Sequence, residues 1–211
     1  MNEFNKNDVI EIFKAIHANI SINRDYLIKL DSELGDGDLG LTMEAGFRKI
    51  CETVDSLRDE KDLGVFIKKL GFAMAGAVPS TMGTLMASAI MKSGEAVAGK
   101  EVITAEDLPQ MALLGIAGME RRAKGRRGDK TILDALYPAY EAMDKAIKEN
   151  KSMSELLQVG YEGAKKGLEE TKLMKSALGK AAVFGDKTIG KQDPGATVAV
   201  IVYEAIIGYV K

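Results

Sequence analysis

Apolar residues in this chain return every three or four positions along nearly its whole length, and that period leaves little room for anything but helices. Val9, Phe13, Ile16 and Ile20 step by four, three and four. Met43, Phe47, Ile50, Val54 and Leu57 step in the same way, and Leu136, Tyr140, Met143 and Ile147 repeat the pattern. Each series draws one apolar stripe along one side of a helix. Further helical stretches follow Asp62, Pro79, Thr104 and Ser152; Pro79 suits a first turn, where its fixed φ and missing N–H cost nothing. The segment ATVAVIVYEAIIGYV, residues 196–210, is β-branched at its start. With no strand elsewhere to pair with it, it reads as a buried terminal helix. The connections are short and rich in Gly, Asp and Lys, which suits antiparallel neighbours. The chain is therefore predicted to be all-α, a single-domain antiparallel helical bundle of about eight helices over residues 1–211.

Composition narrows the function. With 211 residues and 46% hydrophobic content, the chain has enough for one sizeable core. Its net charge of -2 comes from interspersed acids and bases, so it carries no electrostatic footprint for nucleic acid or for an anionic membrane. Cys51 is alone, the N-terminus is polar, and no apolar run reaches transmembrane length. A cytoplasmic protein is expected. The 11 methionines read most simply as core filler, with a Met-lined groove as the alternative, and His17, beside the first apolar stripe, reads as structural.

Chemistry concentrates in LDSELGDGDLG, residues 30–40, where Asp31, Asp36 and Asp38 are separated by glycines. A calcium loop of the EF-hand type needs Gly at its sixth position and Glu at its twelfth; counting from Asp31 gives Asp36 and Thr42, and counting from Asp36 gives Leu41 and Phe47. Zinc favours Cys and His, of which the chain has one each, far apart. Hard carboxylate oxygens on a pliant loop suit Mg²⁺, which keeps several waters and shares itself with substrate phosphates. The competing reading is a solvated acidic turn capping the helix that begins near Gly40. A second feature is the pentapeptide GDKTI, found at 128–132 and again at 185–189. It is not a Walker loop, because an Asp separates Gly from Lys and no strand precedes it.

Three motifs in order, LDSELGDGDLG, GDKTILDALYPA at 128–139 and GKAAVFGDKTIGKQDPGAT at 179–197, resemble the nucleotide-binding L subunit of dihydroxyacetone kinase over nearly the whole chain. The resemblance implies an all-α barrel of antiparallel helices, with ADP or ATP held at one end by loops and two Mg²⁺ between the phosphates and three aspartates. It makes Asp31, Asp36 and Asp38 the metal ligands. The backbone of Leu39, Gly40, Leu41 and Thr42, at a helix start, would approach the phosphates. Ala123 and Ile132 would line the adenine pocket, and Asp193, Pro194 and Gly195 would form the loop closing on the nucleotide.

The departures bear on the acceptor. Leu39 stands where the family usually has His, Lys180 where it has Arg, and Lys191 where it has a second His; PSTMGTL places Thr81 and Met82 at the positions that contact phosphate. The aspartates are intact. Phosphoryl transfer needs charge neutralisation and in-line positioning, and Lys180 and Lys187 are the candidate catalytic cations. No acceptor site is evident, so the resemblance implies half a kinase. The ketose would sit on a separate K-type subunit, a phosphotransferase-system phosphocarrier would recharge ADP in the bacterial version, and the chain would work as a homodimer or heteromer. The alternatives are a paralogous subunit serving a tetrulose or a partner-bound fatty acid, and a non-catalytic ADP-binding regulatory partner.

Overall fold

Nine α-helices carry the chain, among residues 3–123 and 125–210 described by the computed structural model. They are α1 (Lys6–Ile22), α2 (Arg24–Ser32), α3 (Leu39–Thr53), α4 (Leu63–Ala77), α5 (Thr81–Ser93), α6 (Asp107–Ala123), α7 (Leu133–Lys148), α8 (Met153–Thr171) and α9 (Pro194–Val210). Short 3₁₀ stretches cover Val54–Leu57, Gly94–Val97 and Lys180–Thr188. Helix α1 packs on α3, α3 on α4, and each helix on the next through α9, which returns to α1. Eight helices therefore close a ring, and α2 is a short side element against α3. No described helix is long and apolar enough to cross a membrane.

Local signals set several starts. Asn5 and Asp8 form a capping box at α1, Asp62 caps α4 through the Val65 N–H, and Ser152 with Glu155 forms a second capping box at α8. The interior of the ring is filled by stripe residues such as Ile20, Met43, Phe47 and Ile50, joined by Phe66, Leu70, Met74 and Met119, all nearly or wholly inaccessible. Methionine here does the gap-filling its flexible thioether allows. Residues 196–210 lie within α9, whose buried face includes Val198, Ile201 and Tyr203.

The structure differs from the sequence reading at four points. A two-stranded antiparallel sheet exists, β1 (Glu3–Asn5) pairing with β2 (Val102–Thr104) in the register Phe4 to Ile103. Three-residue strands are too short for period-2 alternation to show. Pro79 lies outside α5: Ser80 is the N-cap, accepting from the Gly83 N–H, so the proline precedes the first turn. The first helical stretch breaks at Asn23, whose side-chain amide and backbone N–H both donate to the Asn19 carbonyl, producing α2 as an extra helix. The buried face of α7 is centred on Ala135, Ala139, Met143 and Ala146, while Leu136, Tyr140 and Ile147 lie at its edge.

That last shift has a steric cause. Helix α8 presents Gly163 and Gly167 to α7, and a Cβ on Gly167 would stand 2.1 Å from the Asp134 carbonyl oxygen. Small residues on both sides let the two backbones touch. Pro138, inside α7, has no N–H to offer that same Asp134 carbonyl four residues earlier, and the carbonyl faces Gly167 instead.

Candidate functional site

The acidic loop joins α2 to α3. Asp31 sits in the last turn of α2, Asp36 in the connection, and Asp38 at the N-cap position of α3. Gly37 adopts φ +73, and a Cβ on Gly35 would meet the Asp31 carboxylate at 2.4 Å, so both glycines are required by the path of the loop. A capping turn would aim the Asp38 carboxylate at the first N–H groups of α3, yet Asp38 makes no such bond. Instead, one carboxylate oxygen from each of Asp31, Asp36 and Asp38 lies within 4.8 Å of the other two. Such a set of hard oxygens, half-buried at Asp31 and exposed at the other two, fits a divalent cation. Burial, reinforced by its negative neighbours Asp36 and Asp38, holds the Asp31 carboxyl above its ordinary range. Asp36 is held below it by the Lys180 ammonium, which contacts its carboxylate, and Lys180 is raised in return.

The three acids form one end of a cavity of about 540 Å³. Its walls come from the start of α5 (Ser80, Thr81, Met82), the end of α6 (Met119, Ala123), residues 130–133 at the start of α7, Gly179 to Ala181, and Asp193 to Gly195 at the start of α9. Away from the acids the surface is apolar, through Met82, Leu85, Met119, Ala123, Ile132, Leu133 and Leu178. An acidic end able to hold the cations that a phosphate chain requires, and an apolar slot beside it, make a shape suited to a metal-bound nucleotide. The N-termini of α5 and α9 open on it, and first-turn N–H groups lack helical partners.

Of the residues singled out from the sequence, Asp31, Asp36, Asp38, Leu39, Thr81, Met82, Ala123, Ile132, Lys180, Asp193, Pro194 and Gly195 all line this cavity. Gly40, Leu41 and Thr42 do not: Gly40 packs on the Arg24 carbonyl, Leu41 is 54% exposed and Thr42 is buried. Lys187 is exposed on the 3₁₀ stretch, outside the cavity. The residue that sequence reasoning missed is Lys130, which lines the cavity and is only 3% exposed. Its position in the first GDKTI copy was the available signal.

Asp193 caps α9, accepting the Ala196 N–H at 2.7 Å, with Pro194 in the first turn. It is partly accessible at the cavity wall but desolvated by the protein around it, which pushes its carboxyl up to about 7. A carboxyl raised above its unfolded value weighs against the fold when ionised, and the burden is relieved as pH falls from about 7 towards about 4. Asp193→Asn keeps an acceptor for Ala196. It is expected to melt at or above wild type near pH 8 and to lose that advantage on acidification, as read by thermal melts across this range. A constant deficit at every pH would show an aspartate ionised throughout.

The sequence model of the DAK2 domain matches residues 33–208. The chain belongs to the DAK2 domain family. This DAK2 domain is 32% identical, over 84% of each chain, to the ADP-binding subunit DhaL of the PEP-dependent dihydroxyacetone kinase of Escherichia coli (strain K12). It is 31% identical to the ADP-binding subunit DhaL of PEP-dependent dihydroxyacetone kinase 2 of Listeria innocua, covering 95% of this chain and 93% of that one. The crystal structure of the dihydroxyacetone kinase from C. freundii in complex with AMP-PNP and Mg²⁺ superposes with a TM-score of 0.71 at 25% identity. That match covers 95% of the DAK2 domain but only 33% of the C. freundii chain, so the domain spans about a third of that protein.

Proposed function

We propose that this chain is the ADP- and magnesium-binding subunit of a dihydroxyacetone kinase, passing a phosphoryl group between a nucleotide and a ketose held on a separate K-type subunit. The observation that carries the reading is the convergence of three carboxylates at the polar end of a cavity whose other wall is apolar, with Asp31 accepting the Leu39 N–H at 3.4 Å and Asp38 making no cap bond to α3. Its DhaL relatives are named as ADP-binding subunits, and the C. freundii kinase holds AMP-PNP and Mg²⁺.

In this reading Asp31, Asp36 and Asp38 hold two magnesium ions, which when bound neutralise phosphate charge. Ala123 and Ile132 bind the base by burying it and excluding water. The N-terminus of α5, with Thr81 and Met82, orients phosphate oxygens. Lys180, already at the acidic end through its contact with Asp36, stabilises the transferring phosphoryl group, and Lys187 is left as an exposed cation of the same segment. Asp193 to Gly195 close the cavity. The acceptor hydroxyl comes from outside the chain, on the K-type subunit, and a phosphocarrier subunit recharges ADP in place of exchange with ATP.

Thermal melting tests the binding half. A ligand that binds only the folded state adds about 2.7 kcal/mol at a hundredfold excess over its dissociation constant. In a chain of 211 residues this moves the midpoint by several degrees. Mg-ADP is expected to produce that shift and ADP with chelator much less. Equal shifts with and without metal would remove the aspartates from the site. Turnover with a purified K-type partner tests the transfer half; binding without turnover would leave a regulatory ADP-binding subunit.

A further inference from the structure

The two GDKTI copies, far apart in sequence, meet in space. In the first, Gly128 takes φ +94 and Lys130 φ +60, and buried Asp134 accepts the Gly128 N–H at 2.6 Å and the Thr131 N–H at 2.7 Å. This tight turn drives the Lys130 side chain inward. Its ammonium donates to the carbonyl of Met174 at 3.2 Å, to that of Lys191 at 2.6 Å, and to that of Thr188, the threonine of the second copy. Thr188 is wholly buried; its hydroxyl accepts the Ser176 N–H at 3.0 Å and donates to the Gly185 carbonyl at 2.7 Å. The Ala177 N–H donates to the Asp129 carbonyl at 3.1 Å.

An ammonium has three hydrogens to donate, and here three backbone carbonyls take them. Burying a cation is unfavourable unless its donors are satisfied, so the arrangement holds only while residues 174–191 stay wrapped around it. Desolvation lowers the Lys130 pKa, partly opposed by the charge of Asp193. That segment carries Gly179, Lys180 and Ala181 of the cavity wall but no α-helix of its own. Two of the three carbonyls lie near its ends and the third in its second half, so one side chain spans the segment.

We propose that Lys130 is a positioning residue for the cavity's closing segment: its ammonium clamps the carbonyls of Met174, Thr188 and Lys191 and thereby fixes Gly179 to Ala181 as cavity wall and Lys180 beside Asp36. The ligand in its test is taken from the nucleotide reading above; the ordering of the segment is not. Lys130→Ala removes the clamp, and Thr188→Val loosens the same segment by deleting the hydroxyl. Hydrogen exchange on both proteins without nucleotide is expected to lose protection across residues 174–191 while the ring helices keep theirs. Calorimetry is expected to show Mg-ADP affinity weakened at least about tenfold, because binding must now order the segment. Ammonium chloride, which can occupy the vacated carbonyls, is expected to restore both properties in Lys130→Ala, and tetramethylammonium chloride, which has no N–H, is not. Wild-type protection in both variants overturns the proposal. So does protection lost throughout the ring in both, and so does a Lys130→Ala defect that ammonium leaves unchanged or that tetramethylammonium relieves equally. Failure of the wild type itself to bind Mg-ADP would sink the nucleotide reading while leaving the exchange result to decide the role of Lys130.

Discussion

Asp36→Asn and Asp38→Asn are each expected to keep the fold and lose the metal-dependent ligand. Both side chains are exposed and close to isosteric with asparagine, and neither caps α3. Asp36→Asn gives up its contact with Lys180, an exposed ion pair that contributes little to stability. Asp38→Asn relieves repulsion among three carboxylates held within 4.8 Å. Melting without ligand should therefore be unchanged in both. Groups that merely support a metal ligand typically cost 10–100-fold in metal affinity when replaced, so loss of a direct ligand should weaken Mg-ADP binding by at least about that factor. Transfer to a partner-held ketose should fall in step. Calorimetric titration of the two variants against wild type decides the matter: unchanged Mg-ADP affinity in both would reduce the acidic loop to a turn.

Gly167→Ala is expected to be the most damaging single methyl group in the helical ring. The added carbon would meet the Asp134 carbonyl oxygen at 2.1 Å and the Ala135 Cα at 2.8 Å, both backbone atoms that no rotamer change can move. Overpacking of this kind costs roughly 1–3 kcal/mol, about 2–12 °C of melting temperature at this chain length. A matched control is available in Gly208→Ala on α9, where a Cβ meets nothing within 4 Å. There the gain in helix propensity should stabilise by about 0.5–1 kcal/mol. If the two variants melt alike, α7 and α8 are not in backbone contact.

The ring of helices was legible because a four-three stripe records which side of each helix faces inward, and Ile20, Met43, Phe47 and Ile50 are buried as their spacing requires. The same logic misplaced the inner face of α7, since alanines carry too little hydrophobic signal to compete with Leu136 and Tyr140, and closeness of approach to α8 decided the orientation. Strands β1 and β2 left no trace because three residues cannot display a period. In the site, the acidic loop was readable from its own residues and Asp193 to Gly195 from the resemblance to a known family, and the structure gathers them around one cavity. The resemblance alone tied the backbone of Gly40, Leu41 and Thr42 to the phosphates; of this stretch the cavity takes only Leu39 into its lining, while Gly40 packs on the Arg24 carbonyl, Leu41 faces solvent and Thr42 is buried. Lys130 could be flagged as half of a repeat but not as buried, because burial of a lysine depends on carbonyls more than forty residues away, which only the fold assembles.

Helix α9 completes two things at once. It seals the ring against α1, through Asn19 on the Ile201 carbonyl at 2.9 Å and Tyr209 on Asp8 at 2.7 Å, and its first turn supplies the wall at Asp193 to Gly195. Those hydrogen bonds join residues 182 and 201 positions apart. During synthesis α1 to α8 therefore emerge with an open apolar seam between α1 and α8, and neither ring nor cavity can close until α9 has left the ribosome. Contacts of such long sequence separation slow folding and lengthen exposure of the seam to other chains. The interval before α9 docks is when the nascent protein is most exposed to aggregation, and a ligand that needs the completed cavity cannot protect it then.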